Sequence, residues 1–504
     1  MIAVIVRATI AALLGAVAGA GALVAAYAWH PALTLEMDRP LPRRIASGLY
    51  PVERAGDTTF AWTSRRADFR LAEVSRASAW TCTIALRGGR SDPATQPVVG
   101  VAVDGITVAT ATATNDFVDM IATAAARPGG PGLIVGITSS TTVVPGPSDP
   151  RELGVQVDRL VCRPDAAFAV PPVAAVRDAA LSVAVFGAAA VLAGTTLGGA
   201  AVAAGTLAVV QALPLSSGPA PYVGFAATAS WFALWLAGLS LAIARVMERW
   251  RGEPLHATAR FVLLFSAAAL YVKLLGLLHP SKLLVDALFH AHRLEWVLDG
   301  RYFFTQPMPG GVSFPYAIGL YVFAAPWSAL TNDYVTLLRV IVCAAEVVAG
   351  VLLYPLAVRA WGERVTAAMA VVLFNVVPLP YGLVGNANLT NAFGQSAALA
   401  TLMVASLVSL RSRGIAALIG LFALCALAFL SHVSTFALLA VTLAALAVFY
   451  RWRGGPILHR AAWSIFGVSV LAAVWDPRLL RSLRRGLQDR ASGSCEHGER
   501  AAPG

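Results

Sequence analysis

Apolar runs of membrane-spanning length recur along this chain, and no other feature restricts its fold as much. After a single Arg7, Ala8 to Trp29 is continuous and rich in Ala and Gly. Further runs lie at 174–195, 199–213, 222–244, 258–278, 335–358, 365–383, 393–410, 415–430 and 436–450. About 20 apolar residues are what a helix needs to cross the hydrocarbon core. With 58% of 504 residues hydrophobic and 13% charged, this much apolar sequence does not fit inside one soluble core. The chain reads as a polytopic α-helical membrane protein.

The net charge of +11 would suggest nucleic acid in a soluble protein. Here the basic residues cluster in short segments between apolar runs, which is the positive-inside pattern, so nucleic acid is not expected as a partner. None of the five cysteines forms a Cys-x-x-Cys pair, and a zinc or redox site has no support.

Between the first run and the others, residues 30–172 change character. Short alternating stretches (Phe60–Thr63, Phe69–Leu71, Trp80–Leu86, Val99–Val103, Ile106–Val108, Leu133–Ile137, Gly154–Val161) are separated by Arg87-Gly88-Gly89-Arg90, Asp104-Gly105 and Pro128-Gly129-Gly130-Pro131. This spacing predicts an antiparallel, jelly-roll-like β-sandwich. Cys82 and Cys162 each fall in a predicted strand, either as a disulfide or as two buried thiols. The leading run is either a signal peptide, with Ala26-Tyr27-Ala28 at its cleavage site, or an uncleaved anchor, and either one exports the sandwich. The expected organisation is 1–29 anchor or signal, 30–172 extracytoplasmic sandwich, 173–475 helical membrane domain and 476–504 basic tail.

The basic residues orient the spans. A tight turn is expected at Gly198-Gly199, and Arg245, Arg249, Arg251 and Arg260 mark a cytoplasmic loop, so 258–278 runs outward and the loop 279–311 is exported. Arg359/Arg364, Arg411/Arg413 and Arg451/Arg453 also belong inside. They do so only if 312–330, with Pro315 and Pro326, is a re-entrant or surface helix. Two polar turns then lie outside: Asn386 to Asn391 with Gln395, and Ser431 to Thr435. Residues 461–475 make a marginal span, followed by Arg478, Arg481, Arg484, Arg485 and Arg490.

The exported loop concentrates the polar groups that the rest of the chain lacks. Leu283 to Asp299 predicts a helix with an apolar stripe at Leu284, Ala287, Leu288, Ala291, Leu294 and Leu298, lying along the membrane surface. Asp286, His290 and Arg293 line another face at i, i+4 and i+7, beside a row of His292, Glu295 and Asp299. Ordinary solvated charges on an amphipathic connector give the same pattern. Lys273 and Arg339 sit near outer ends of apolar helices, where each either snorkels to the interface or holds a lipid phosphate. Asp286 with His290, and Glu295 or His292 added, would offer ligands to a divalent metal, yet such helical pairs are common without one and no cofactor is expected.

A carboxylate at an exported helix start, backed by cations at the membrane edge, suits sugar transfer from a polyprenyl phosphate. A base must take the acceptor's proton and cations must stabilise the leaving phosphate. Asp286 is the candidate base; Lys273, Arg293 and Arg339 are the candidate cations. His290, Glu295, Asn388 and His432 complete the expected substrate-binding set.

The run Asp286 to Gly300, of form Asp-x3-His-x4-Glu-x3-Asp-Gly, resembles the first extracytoplasmic loop of the GT-C superfamily of membrane glycosyltransferases, which includes protein mannosyltransferases and aminoarabinose transferases. Phe314-Pro315-Tyr316, Leu338-Arg339-Val340 and Arg359-Ala360-Trp361-Gly362 resemble positions that follow that loop, and the likeness covers roughly Phe261 to Tyr450. It implies a catalytic loop aspartate, a lipid-phosphate sugar donor and inversion at the anomeric carbon. Two features depart from the pattern. Asp286 is followed by Ala287 rather than by a second acid, which leaves metal use unsupported, and the sandwich precedes the helices. The expected partners are therefore a polyprenyl-phosphate sugar, a glycan or cell-wall acceptor and membrane lipid. Trp62, Phe69 and Trp80 either stack on a sugar or fill the sandwich core. Two other classes compete: a transporter or flippase of a lipid-linked or polar solute, and a non-enzymatic glycan-binding envelope protein.

Overall fold

The computed structural model describes residues 2–29, 32–38, 40–43, 45–71, 74–130, 132–147, 149–168, 170–217, 226–278, 282, 286–302, 305–307, 313–315, 317–408, 415–454, 463 and 467. The expectations for the marginal span at 461–475 and the basic tail therefore lie almost wholly outside them. Two compact units divide the chain: Met1–Leu264 with Leu278–Lys282, and Phe265–Leu277 with Leu283–Gly504.

The first unit opens with helix α1 (Ile2–Trp29) and nine strands: β1 (Leu33–Glu36), β2 (Ala46–Ala55), β3 (Thr58–Leu71), β4 (Trp80–Arg87), β5 (Val98–Val103), β6 (Ile106–Thr112), β7 (Val118–Ala124), β8 (Leu133–Ser139) and β9 (Gln156–Pro164). All pairings are antiparallel, in the order β6-β5-β8-β3-β9-β4-β7, with β1 on β9 and β2 on β3. β7 approaches β5 and β6, so the sheet is nearly closed. The stretches expected as two strands at Phe60 and Phe69 are one strand, β3. Its Ala61 and Trp62 pair with β9 and its residues 66–71 with β8, carrying the sheet from one layer to the other. Asp104 (φ 51°) and Gly105 (φ 85°) close the β5–β6 hairpin with two positive φ values, the backbone an Asp-Gly turn is suited to.

Phe69, Leu71, Trp80, Ile84, Val99, Val101, Leu133, Val135, Ile137 and Leu160 fill the sandwich core. Trp62 belongs to a second cluster with Phe60 and Leu153, so none of the three aromatics considered for sugar stacking is available for it. Cys82 and Cys162 stand opposite each other on β4 and β9, with Cα atoms 4.0 Å apart, and are joined by a disulfide. It closes a loop with 80 residues of sequence separation, for which chain entropy gives a contribution of about 4 kcal/mol. The double variant Cys82→Ala/Cys162→Ala is expected to lose that much stability, read as an earlier unfolding transition of the purified chain. An unchanged transition would show that the bridge adds nothing.

Helices α2 (Val173–Leu192), α3 (Leu197–Ser217), α4 (Ala226–Arg251) and the start of α5 (Ala257–Leu277) complete the unit. The turn expected at Gly198-Gly199 lies earlier. Gly194 adopts φ 97° and ends the α2 segment, while both later glycines are inside α3. α1 runs antiparallel along α2 at backbone contact. A Cβ on Gly15 would lie 2.8 Å from the Val183 carbonyl oxygen, one on Gly19 2.5 Å from that of Ala179, and one on Gly187 2.8 Å from that of Ala11. Small residues at such spacing let helices approach closely where lipid offers no hydrophobic drive. The apolar reading of α2 passed over Asp178, which is buried and accepts a 2.6 Å hydrogen bond from Ser230 of α4.

The second unit holds the rest of α5, then α6 (Ala287–Leu298), strands β10 (Thr305–Pro307) and β11 (Ser313–Pro315), α7 (Gly319–Ala324), α8 (Tyr334–Trp361), α9 (Arg364–Val376), α10 (Pro378–Gly385), α11 (Leu389–Val408), α12 (Ile415–Phe429) and α13 (Val433–Arg453). The run read as one span from Val365 to Leu383 is broken at Val377, which is extended before Pro378, as a residue preceding proline prefers. The 312–330 segment is short: α7 is followed by a 3-10 turn from Ala325 to Leu330. Among the described residues six helices are long and apolar enough to cross a membrane: Ile2–Trp29, Val173–Leu192, Ala229–Arg251, Ala257–Leu277, Tyr334–Trp361 and Ser434–Arg453.

Candidate functional site

Helix α6 carries the acidic motif. Ala287, His290, Ala291, Leu294 and Val297 are buried, whereas Leu288 and Leu298 are exposed. The buried stripe is thus rotated from the expected one, and His290 leaves the polar face because it lies three positions after Ala287 and four before Leu294. Gly300 (φ 79°) ends the helix in a Schellman motif, with its N–H on the Val297 carbonyl and that of Arg301 on Trp296. Asp286 occupies the N-cap position with φ −82° and ψ 4°. Its carboxylate makes no capping bond and the residue is exposed. His292, Glu295 and Asp299 are exposed as well.

His290 is 3% exposed and ties three segments together. The Tyr321 hydroxyl of α7 lies 2.7 Å from its Nδ1, and a ring N–H donates to the Ala387 carbonyl. With Nδ1 facing Tyr321, that donor is Nε2, so Nδ1 accepts from Tyr321 in the neutral ring. Burial holds the imidazole far below its ordinary 6.5, at about 4; the Ala387 carbonyl and Asp286 pull it up and Arg293 pushes it down. His290 is consequently not the substrate ligand expected from its spacing, and both ring nitrogens are engaged within the protein, leaving none for a metal shared with Asp286. Among the described residues no three His, Cys, Asp or Glu side chains come together as metal ligands.

Because this pKa is depressed on folding, the stability His290 contributes is complete above 6.5 and is lost as pH falls toward about 4. The contribution is roughly 3 kcal/mol at about 1.4 kcal/mol per unit. The protein is expected to lose thermal stability across that window more steeply than its His290→Gln variant. Parallel pH profiles for the two would contradict the buried, neutral ring.

The expected cations divide. Lys273 is 6% exposed and its ammonium lies 2.5 Å from Glu346, itself 5% exposed on α8. Arg339 is also buried and donates at 3.0 Å to the Leu277 carbonyl at the end of α5. Neither is an exposed cation, because each is buried and engaged inside the helical packing. Lys273 with Glu346 and Leu277 with Arg339 are in the order of antiparallel helices. Arg339, Cys343, Glu346 and Gly350 share one face of α8 at i, i+4, i+7 and i+11. Arg293 differs: half-buried, its guanidinium lies 3.9 Å from the Trp296 ring centre and 4.7 Å from that of Phe289.

The Asn386 to Asn391 turn reaches α6 through Ala387, and the Ser431 to Thr435 turn packs on α7 and α11. Asn386 and Asn388 are exposed on either side of Ala387, which is fully buried with φ 58°. Gln395 donates to Asn391 at 3.1 Å. The Gly319 N–H donates to the Leu430 carbonyl at 2.8 Å, and a Cβ on Gly319 would lie 2.5 Å from Ser431 Oγ. A Cβ on Gly394 of α11 would meet Thr435, Ser431 and His432 at 3.1 to 3.4 Å. His432 is half-buried, its Nδ1 is 2.7 Å from Ser434 Oγ, and burial lowers its pKa. Tyr321, Ala387 and Glu346 were not read as site residues. For Glu346 a signal existed: two lone opposite charges in apolar helices ask for each other. Tyr321 and Ala387 carry none, since a tyrosine in an apolar stretch and an alanine in a turn are unremarked without their contacts.

No family model matches the chain, and no curated protein matches it. Among solved structures, a family 35 carbohydrate-binding module from Clostridium thermocellum is similar to it over 26% of this chain and 96% of that one, at 10% identity and a TM-score of 0.18. A score of that size does not establish a shared fold.

Proposed function

We propose that the protein is an integral membrane glycosyltransferase of GT-C type, moving a sugar from a polyprenyl phosphate to a glycan or cell-wall acceptor on the extracytoplasmic side. One observation carries the reading: an exposed carboxylate, Asp286, with no capping duty, heads a short helix that follows a helix of spanning length. In that role Asp286 takes the acceptor's proton and Arg293, held over two aromatic rings, faces the leaving phosphate. Lys273 and Arg339 drop out of the phosphate site. Supporting the sidedness, α4, α8 and α13 end on Arg249-Trp250-Arg251, Arg359-Ala360-Trp361 and Arg451-Trp452-Arg453, with all three tryptophans exposed. Aromatic residues gather at either interface and basic ones on the cytoplasmic side, which supports an outward course for α5. A disulfide suits the sandwich to an oxidising compartment. A sugar on the sandwich would meet Tyr50 and Phe117, half-buried and covered by Arg151 and Arg87, rather than the core tryptophans.

The test is transfer by Asp286→Asn protein in membranes supplied with polyprenyl-phosphate mannose, galactose and arabinose. Loss of transfer at unchanged abundance supports the assignment, and retained transfer removes Asp286 from the chemistry. The buried Lys273–Glu346 pair favours a second reading, transport of a polar or lipid-linked solute. That reading gains if the unchanged protein transfers no sugar while Glu346→Gln abolishes solute export at unchanged abundance.

A further inference from the structure

α10 ends in the same hydrogen-bond pattern as α6. The Ala387 N–H donates to the Val384 carbonyl and that of Asn388 to Leu383, each at 3.0 Å, which makes Ala387 the left-handed C′ residue of a Schellman motif. Glycine ordinarily holds that position, because a Cβ in left-handed backbone costs about 1 kcal/mol or more. Here the residue is an alanine, buried to 0% exposure, and its carbonyl is the one that accepts from His290. Strain of this kind persists where surrounding contacts over-determine it, and it concentrates at functional sites. The same histidine sits one helical turn after Asp286 and takes its other hydrogen bond from Tyr321.

We infer that His290 and Tyr321 are positioning residues: a buried latch that holds the left-handed Ala387 turn against α6, so that the exposed Asn386 and Asn388 amides stand in fixed register with the Asp286 carboxylate. The ligand class follows from the groups presented. Amides both donate and accept, as sugar hydroxyls do, whereas the turn's described residues from Asn386 to Asn391 bring no cation for a phosphate. The turn is therefore the hydroxyl-binding half of the site and Asp286 the proton-accepting half. The second statement rests on the transferase reading; the latch itself does not.

The experiment uses the full chain in lipid nanodiscs and compares the unchanged protein with Tyr321→Phe, His290→Gln and Asp286→Asn. Tyr321→Phe removes one hydroxyl and keeps the ring. Amide hydrogen exchange over residues 383–395, without ligand, is expected to be about tenfold faster in Tyr321→Phe and His290→Gln, since each leaves a buried polar group unpaired. It is expected to be unchanged in Asp286→Asn. With the same three polyprenyl-phosphate sugars, Tyr321→Phe is expected to raise KM about tenfold while kcat stays within about threefold. Unchanged exchange in both latch variants overturns the latch. Faster exchange with KM unmoved overturns the hydroxyl-binding role of the turn. Faster exchange together with no sugar transfer by the unchanged protein leaves the latch standing and sinks the transferase reading, so the two failures are distinct.

Discussion

Asp286→Asn protein is expected to transfer sugar at least about 100-fold more slowly than the unchanged protein, at equal abundance in the membrane. The size follows from what a positioned base contributes, on the order of 10²- to 10⁴-fold. The substitution removes charge and basicity while keeping the shape. It leaves folding nearly untouched, because the side chain is exposed and caps nothing. Asp286→Glu keeps a carboxylate and is expected to retain more activity than Asp286→Asn. Transfer by Asp286→Asn within threefold of the unchanged rate would mean that another group takes the proton.

The second large effect is on stability. Lys273→Met and Glu346→Gln, made singly, are each expected to destabilise the protein by about 3–5 kcal/mol, because each leaves one buried charge without its partner. The double variant is expected to recover most of that loss, since replacing both members of a buried pair is often neutral. The Oε2 atom of Glu346 has no hydrogen-bond partner among the described residues, so the pair does not satisfy all of its own polar atoms and gives the double variant little to lose. Thermal unfolding of the purified variants decides the matter. Single variants as stable as the parent would show that the two charges are hydrated rather than locked between α5 and α8.

What the sequence discloses here depends on whether a cause is local. Apolar length announces the spans, and Asp104-Gly105 announces its hairpin, because each signal lies within a few residues of its effect. β1, β2 and β7 are not among the stretches the sequence marks as strands: Val118–Ala124 alternates correctly, with Met120, Ala122 and Ala124 inward, but its Ala and Asp are poor strand formers. The acidic helix was legible, though not its rotation. His290 looked like a surface group because Asp286 and Arg293 share its spacing, and only Tyr321 and Ala387, 31 and 97 residues away by number, give it a reason to be inside. Lys273 and Arg339 were read as interfacial for a similar reason. Their partners Glu346 and Leu277 lie across the helical packing, 73 and 62 residues distant in the chain.

The proposed transfer depends on which compartment the head of α6 meets, and labelling answers that directly. In an Asp286→Cys/Cys495→Ser background the remaining cysteines do not compete, because Cys82 and Cys162 are bonded and Cys343 and Cys425 are buried. A membrane-impermeant maleimide added to intact cells is expected to label residue 286 fully without permeabilisation. Labelling that appears only after the membrane is opened would put the carboxylate on the cytoplasmic side, where no exported sugar transfer is possible.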